Sequence, residues 1–164
     1  NLIAADTSDA RIRFFGTMNP GSPKQYHVLK KFNEDYFPVP LINMTQLVLT
    51  RAEVLAELGQ DLGQAVTDIN AIIKRAYRGN KDKEIAANAD ARTILLTVRA
   101  ERRKELFCEG DRVNYLKRIG ALANPLDGNT TIRNAPWNCP GLALQFPSSE
   151  RTSIFVMNET GGCN

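Results

Sequence analysis

Apolar positions recur at helical intervals through the middle of the chain, and polar or turn-forming residues dominate both ends. From Asn43 onward, Leu47, Arg51, Val54, Leu55 and Leu58 fall on one face of a helix that Asn43 or Thr45 can cap and that Gly59 ends. After a turn at Gln60 and Asp61, Leu62, Val66, Ile69, Ile72, Ile73 and Ala76 repeat at three- and four-residue intervals and predict a second helix. So short a connection makes the two antiparallel. The pair has the form of a tetratricopeptide-like hairpin, although no repeat of about 34 residues runs through the chain. A third helix is predicted from about Asp90 through Phe107, with Ile94, Leu95, Val98 and Leu106 facing a core and Gly110 breaking it. A short fourth helix spans Val113 to Ile119 and ends at Gly120.

The flanks read differently. Arg11-Ile12-Arg13-Phe14-Phe15 is a short strand candidate, Asn19 to Pro23 a loop, and His27 to Phe32 a further extended piece. Phe37-Pro38-Val39-Pro40 must be extended, because proline disfavours helix in the residue before it. Arg78 to Asn88 is a polar loop, and Asn124 to Asn129 reads as turns. In the stretch to Asn164 the only extended apolar segment is Leu142 to Pro147. The predicted fold is mainly α: a tetratricopeptide-like helical hairpin plus further helices, with irregular loops and a long irregular C-terminal tail. One domain over 1–164 is expected, with 1–40 a lead-in, 43–120 the helical core and 121–164 the tail.

Charge changes this picture at one place. The whole chain of 164 residues carries 21 basic and 18 acidic residues and a net charge of +3, which by itself points to neither nucleic acid nor an anionic membrane. Arg99 to Arg112, however, puts charges along the edge of an apolar stripe. Glu101, Glu105 and Glu109 are four apart and would repel on an isolated helix by roughly 0.2–0.5 kcal/mol per pair. Lys104, Arg102 and Arg112 lie three residues from Glu101, Glu105 and Glu109, and a further cation such as Arg51 must arrive from another helix. Arg51, Glu101, Arg102, Glu105, Glu109 and Arg112 are therefore expected to form a structural ion network; the alternative is a solvated charged face. If the network is buried, Glu105→Ala leaves an unpaired arginine at a cost of about 3–5 kcal/mol.

Catalytic chemistry is not signalled. There is no Ser/His/Asp set, glycine-rich phosphate loop or dense carboxylate cluster, and the sole histidine, His27, has no sequence-local partner. Cys108, Cys139 and Cys163 lack the close spacing of a zinc or redox pair. A Cys139–Cys163 bridge across the irregular tail would stabilise it by roughly 3–4 kcal/mol in an oxidising compartment; three unrelated buried thiols are the alternative. The sequence has no run of about 18 apolar residues and no signal-peptide pattern. It opens at Asn1 without an initiator Met, as an internal piece or a processed mature protein would.

Three blocks together resemble the carboxy-terminal part of SusD/RagB-family nutrient-binding lipoproteins of the bacterial outer membrane. The first runs from Val39-Pro40-Leu41-Ile42 through Leu49-Thr50-Arg51-Ala52-Glu53 and Leu58-Gly59 to Ala65, Ile69-Asn70 and Arg75-Ala76. The second is Glu101-Arg102-Arg103-Lys104-Glu105-Leu106, then Glu109-Gly110, Arg112 and Leu116-Lys117-Arg118; the third is Phe146-Pro147, Glu150 and Asn158 to Gly162. Val113-Asn114-Tyr115 departs from the family's usual aromatic residue and Asp, and no acylated amino-terminal Cys is present.

The resemblance implies a fragment of a longer chain whose lipid anchor lies upstream. It also implies a non-enzymatic cell-surface role without cofactor or metal: binding an oligosaccharide or other nutrient and delivering it to a SusC-like TonB-dependent transporter. Trp137, between Pro136 and Asn138, is the local candidate for a sugar platform, against the plainer reading of a loop pin. The rival function is a tetratricopeptide-like adaptor for a protein or peptide. Nucleic-acid binding through Arg99, Arg102, Arg103 and Lys104 ranks last because glutamates interleave the cations.

Overall fold

The computed structural model describes residues 6–32, 35–36, 41–122, 131, 135–143, 146–150 and 152–155, and the chain divides into two compact units, Asn1–Leu106 and Phe107–Asn164. Four α-helices stand among the described residues, so the protein is mainly helical.

In the first unit, α1 (Met44–Leu58), α2 (Leu62–Ala76) and α3 (Ala91–Glu105) pack on one another. Their ends follow from local chemistry. The Asn43 side chain accepts from Gln46 N at 2.7 Å at the start of α1, and Gly59 ends it at φ 64°, where a Cβ would be strained. Asp61 and Asp90 cap α2 and α3 by accepting from Gln64 N and Thr93 N. The loop after α2 is tied back by Asn70, whose side chain donates to Ile85 O and accepts from Ile85 N, each at 2.9 Å. The core of this layer is Leu49, Ala52, Ala56, Ala65, Ile69, Ile73, Ile94 and Val98. Each fully buried Leu, Ile or Val contributes about 1.5–3 kcal/mol.

Three expectations are corrected. The predicted inward face of α1 points outward: Leu47, Val54 and Leu58 are exposed, and Leu49, Ala52, Glu53 and Ala56 are buried. Both sets repeat at helical spacing, and the buried one carries two alanines that let α2 and α3 approach closely. The Arg11–Phe15 strand is instead a 3-10 helix, Ala10–Phe14, capped by Asp9 accepting from Arg11 N. The strand begins only at its end. β1 (Phe15–Met18) pairs antiparallel with β2 (Tyr26–Leu29), Phe15 opposite Leu29 and Met18 opposite Tyr26. The third helix also stops at Glu105, short of Phe107. Phe37 to Pro40 and Asn124 to Asn129 lie outside the described residues.

The second unit contains α4 (Asp111–Gly120), which buries Tyr115, Leu116 and Ile119, with the Arg118 guanidinium 5.0 Å from the Tyr115 ring centroid. Pro140–Leu142 forms a 3-10 turn where an extended segment was expected to begin, and Phe146 meets Phe155 edge to face at 5.0 Å.

Candidate functional site

Among the described residues of the first unit, a dense polar construction is centred on Arg11. Its guanidinium is buried and surrounded by carboxylates. Nε and Nη2 donate to Asp9 Oδ1 and Oδ2 at 2.8 and 2.6 Å, and Nη1 donates to Glu101 Oε2 at 2.8 Å and Glu105 Oε1 at 2.9 Å. Tyr77 forms one wall. Arg11 Cζ, Lys83 Nζ and Lys104 Nζ stand 5.8, 5.4 and 5.6 Å from its ring centroid, and Lys104 donates to the phenol oxygen at 3.1 Å. Lys104 also binds Glu101 Oε1 at 2.8 Å.

Glu105 joins this cluster to the helices. Its Oε2 accepts from Arg75 Nη2 at 2.6 Å, Arg75 Nη1 reaches Thr45 Oγ1 at 3.2 Å, and its backbone carbonyl accepts from Lys31 Nζ at 2.7 Å. One carboxylate thus joins the 3-10 turn to α2.

The electrostatics follow from these contacts. Burial lowers the Arg11 pKa less than its bonds to Asp9, Glu101 and Glu105 raise it, and the guanidinium stays charged. Burial likewise pushes the Asp9 carboxyl up, but the Arg11 hydrogen bonds outweigh it and hold Asp9 below the ordinary value. For Lys104, desolvation is overcome by the Glu101 hydrogen bond, and the pKa is raised. At the surface, Lys83 and Ser8 hydrogen bonds bring Asp6 down to about 2.

The residues singled out by sequence are dispersed among several arrangements. Glu101 and Glu105 share Arg11. Arg51 sits apart on α1, half out in solvent, clamping Asp68 of α2 with Nε–Oδ2 and Nη2–Oδ1 bonds of 2.7 Å while Gln64 donates to Asp68 at 2.9 Å. Arg102 is buried and donates to Thr50 Oγ1 at 3.1 Å; beside it Arg99 Nε approaches buried Glu53 at 3.9 Å. Glu109 and Arg112 belong to the second unit, just before and within the first turn of α4. His27 is exposed on the hairpin, its Nδ1 3.5 Å from Thr17 Oγ1.

Trp137 is half-buried against α4, so close to Gly120 that a Cβ there would overlap its ring. Cys139 is buried and disulfide-bonded, and Cys108 is a free, exposed thiol. Cys163 lies outside the described residues.

Sequence reasoning missed Arg11, Asp9, Tyr77 and Asp68. The Asp9-x-Arg11 spacing advertises a local ion pair, but nothing in the local pattern links it to a helix 90 residues later.

The SusD family model matches residues 17–155. The chain belongs to the SusD family. That match starts well before Val39, where the sequence resemblance begins, and takes in the β-hairpin from Thr17 onward; Asn158 to Gly162 lie beyond it. No curated protein and no solved structure matches. SusD-family members are generally non-catalytic nutrient-binding proteins associated with outer-membrane transport, typically lipoproteins of the outer-membrane surface that partner SusC-like transporters. Within the matched region Asn70, Arg75, Glu101 and Glu105 are all engaged in internal bonds. None of the described helices is long and apolar enough to cross a membrane.

Proposed function

We propose that this chain is the carboxy-terminal part of a cell-surface lipoprotein that binds an oligosaccharide or another nutrient without catalysis and hands it to a SusC-like TonB-dependent transporter. The family match over 17–155 carries this reading. The chemistry of the ion cluster agrees with it: Glu101 and Glu105 are each engaged by cations on both sides, which suits a structural brace rather than an acid–base pair. In this proposal the two units are parts of one C-terminal piece, its lipid anchor lies upstream, and ligand contacts lie largely elsewhere in the full protein. The deciding experiment is titration calorimetry of the full-length protein against a panel of oligosaccharides, with co-purification of the transporter. Saturable heats with one glycan class and a stable complex support the proposal; neither would remove it.

A second reading, a helical protein-binding adaptor, is favoured by one observation. Met44, Leu47, Val54 and Leu58 form an outward apolar stripe along α1, with exposures of 74, 53, 48 and 62%. Leu47→Lys with Val54→Lys separates the two: loss of the protein partner with glycan binding intact favours the adaptor.

A further inference from the structure

We propose that residues 6–32 form a detachable arm, latched to the helices by the Arg11 guanidinium lodged between Glu101 and Glu105, and that this arm opens as a unit while α1, α2 and α3 remain folded.

The composition of what the arm buries is the first argument. Of residues 6–32, only Asp9 and Arg11 are buried; the apolar side chains of Ile12, Phe14, Phe15, Val28, Leu29 and Phe32 are half-buried, and the hairpin from Thr17 to His27 faces outward. An element that inserts charges and no fully buried apolar side chain gains little on docking, because the desolvation of the ions offsets most of their attraction. The helices are held differently, by Leu49, Ile69, Ile94 and Val98, all essentially inaccessible to water. The least costly opening therefore separates arm from helices rather than helix from helix.

The second argument is connectivity. The arm has its own backbone bonding, the ladder from Phe15–Leu29 to Met18–Tyr26 extended by Lys30 N donating to Phe14 O at 2.6 Å. Its strongest polar tethers among the described residues meet a short stretch of α3. Arg11 holds Glu101 and Glu105 and Lys31 holds the Glu105 carbonyl, while the half-exposed Asp6–Lys83 pair at 2.6 Å ties the arm to the loop after α2. Arg11 also leaves with a counter-ion, since both of its bonds to Asp9 are internal to the arm. Opening thus returns Glu101 and Glu105 to water, strands no charge in the interior, and bares the face of Tyr77.

Hydrogen exchange read by mass spectrometry on the 164-residue chain tests this. In low urea, amides of 15–29 are expected to exchange through an opening with a shallower urea dependence than amides of 94–101, because a two-stranded ladder released from the helices is marginal and frays. Arg11→Met is expected to speed exchange of 15–29 by about ten-fold or more while 94–101 changes by less than about two-fold. Arg51→Met, which touches only the α1–α2 pair, should leave 15–29 unchanged. Equal acceleration of both segments by Arg11→Met would overturn the proposal. Should that variant not fold, the unsubstituted chain still decides: a single urea dependence shared by both segments overturns it, and two distinct ones support it.

Discussion

Arg11 Nη1 and Glu101 Oε2 meet at 2.8 Å in the interior although 90 residues of chain separate them. That single contact joins a 3-10 turn near the start of the chain to the end of α3, and it sets a limit on what mutation can cost. An arginine stranded in the core by loss of its carboxylate costs about 3–5 kcal/mol. Here the guanidinium sits on an arm that can swing into water with Asp9. Glu101→Ala is therefore expected to lower stability in urea by clearly less than that amount, with the unfolding slope of the helical layer little changed. A loss of the full 3–5 kcal/mol would mean that the arm is locked in place. Glu105→Ala should cost less again, because Arg11 keeps Asp9 and Glu101.

The acid end of the stability profile belongs to Asp6 and Asp9. Both have folded-state pKa values below the ordinary 3.8, Asp6 at about 2 through its Lys83 and Ser8 hydrogen bonds. A lowered carboxyl contributes stability that is present above the unfolded value and is lost as pH falls through the folded one. Lys83 and Lys104 have the opposite sign: raised above 10.5, they contribute below that value and lose it only at more alkaline pH. Arm docking, followed by amide exchange of 15–29 corrected for the intrinsic rate, should therefore be flat between about pH 5 and pH 10 and weaken from pH 4 toward pH 2 through the Asp6–Lys83 tie, because the Asp9–Arg11 bonds stay within the arm. Lys83→Met should remove this acid limb of docking. An inflection near neutrality would contradict this assignment.

Helix ends were legible in the sequence because their determinants are local. Asn43, Gly59 and Asp90 act within four residues of themselves, and all three terminate helices as their chemistry predicts. The face of α1 was not legible. Leu47-Val54-Leu58 and Leu49-Ala52-Ala56 are both periodic, and only the close approach of α2 and α3, invisible in the string, selects the alanine-bearing set. The candidate site divides in the same way. The charge run on α3 pointed to Glu101 and Glu105, whereas Arg11 and Tyr77 come from distant segments and carry no pattern that announces them. Arg51 had an expected cross-helix role, and its partner in the structure, Asp68, sits on α2 among apolar neighbours where a carboxylate has no periodic signature.

Cysteine pairing gives a prediction that needs only mass measurement. Cys108 is free and exposed, and Cys139 is disulfide-bonded; Cys163 is the proposed partner of Cys139. Alkylation of the non-reduced protein should add one label, at Cys108, and alkylation after reduction should add three. Labelling of Cys139 without reduction would remove the bridge. Its loss should cost roughly 3–4 kcal/mol in the chain-entropy model if the tail is otherwise unconstrained.

Trp137 offers the sharpest test in the second unit, because the usual sign of a substitution is reversed there. Replacing a helical glycine with alanine normally stabilises by about 1 kcal/mol. At Gly120, the last residue of α4, a Cβ would overlap Cβ, Cγ and Cδ1 of Trp137, so the indole must move away for alanine to fit. Gly120→Ala is accordingly expected to destabilise by about 1–3 kcal/mol, the range for overpacking a filled site. Trp137 is the sole tryptophan, and its emission should shift to the red as it gains solvent. The companion variant Trp137→Ala relieves the overlap, so Gly120→Ala made in that background should regain the ordinary helix preference and become neutral or stabilising. A sugar platform free of the helix would show no such coupling; dependence of the Gly120 effect on the indole marks Trp137 as the pin that fastens its loop to α4.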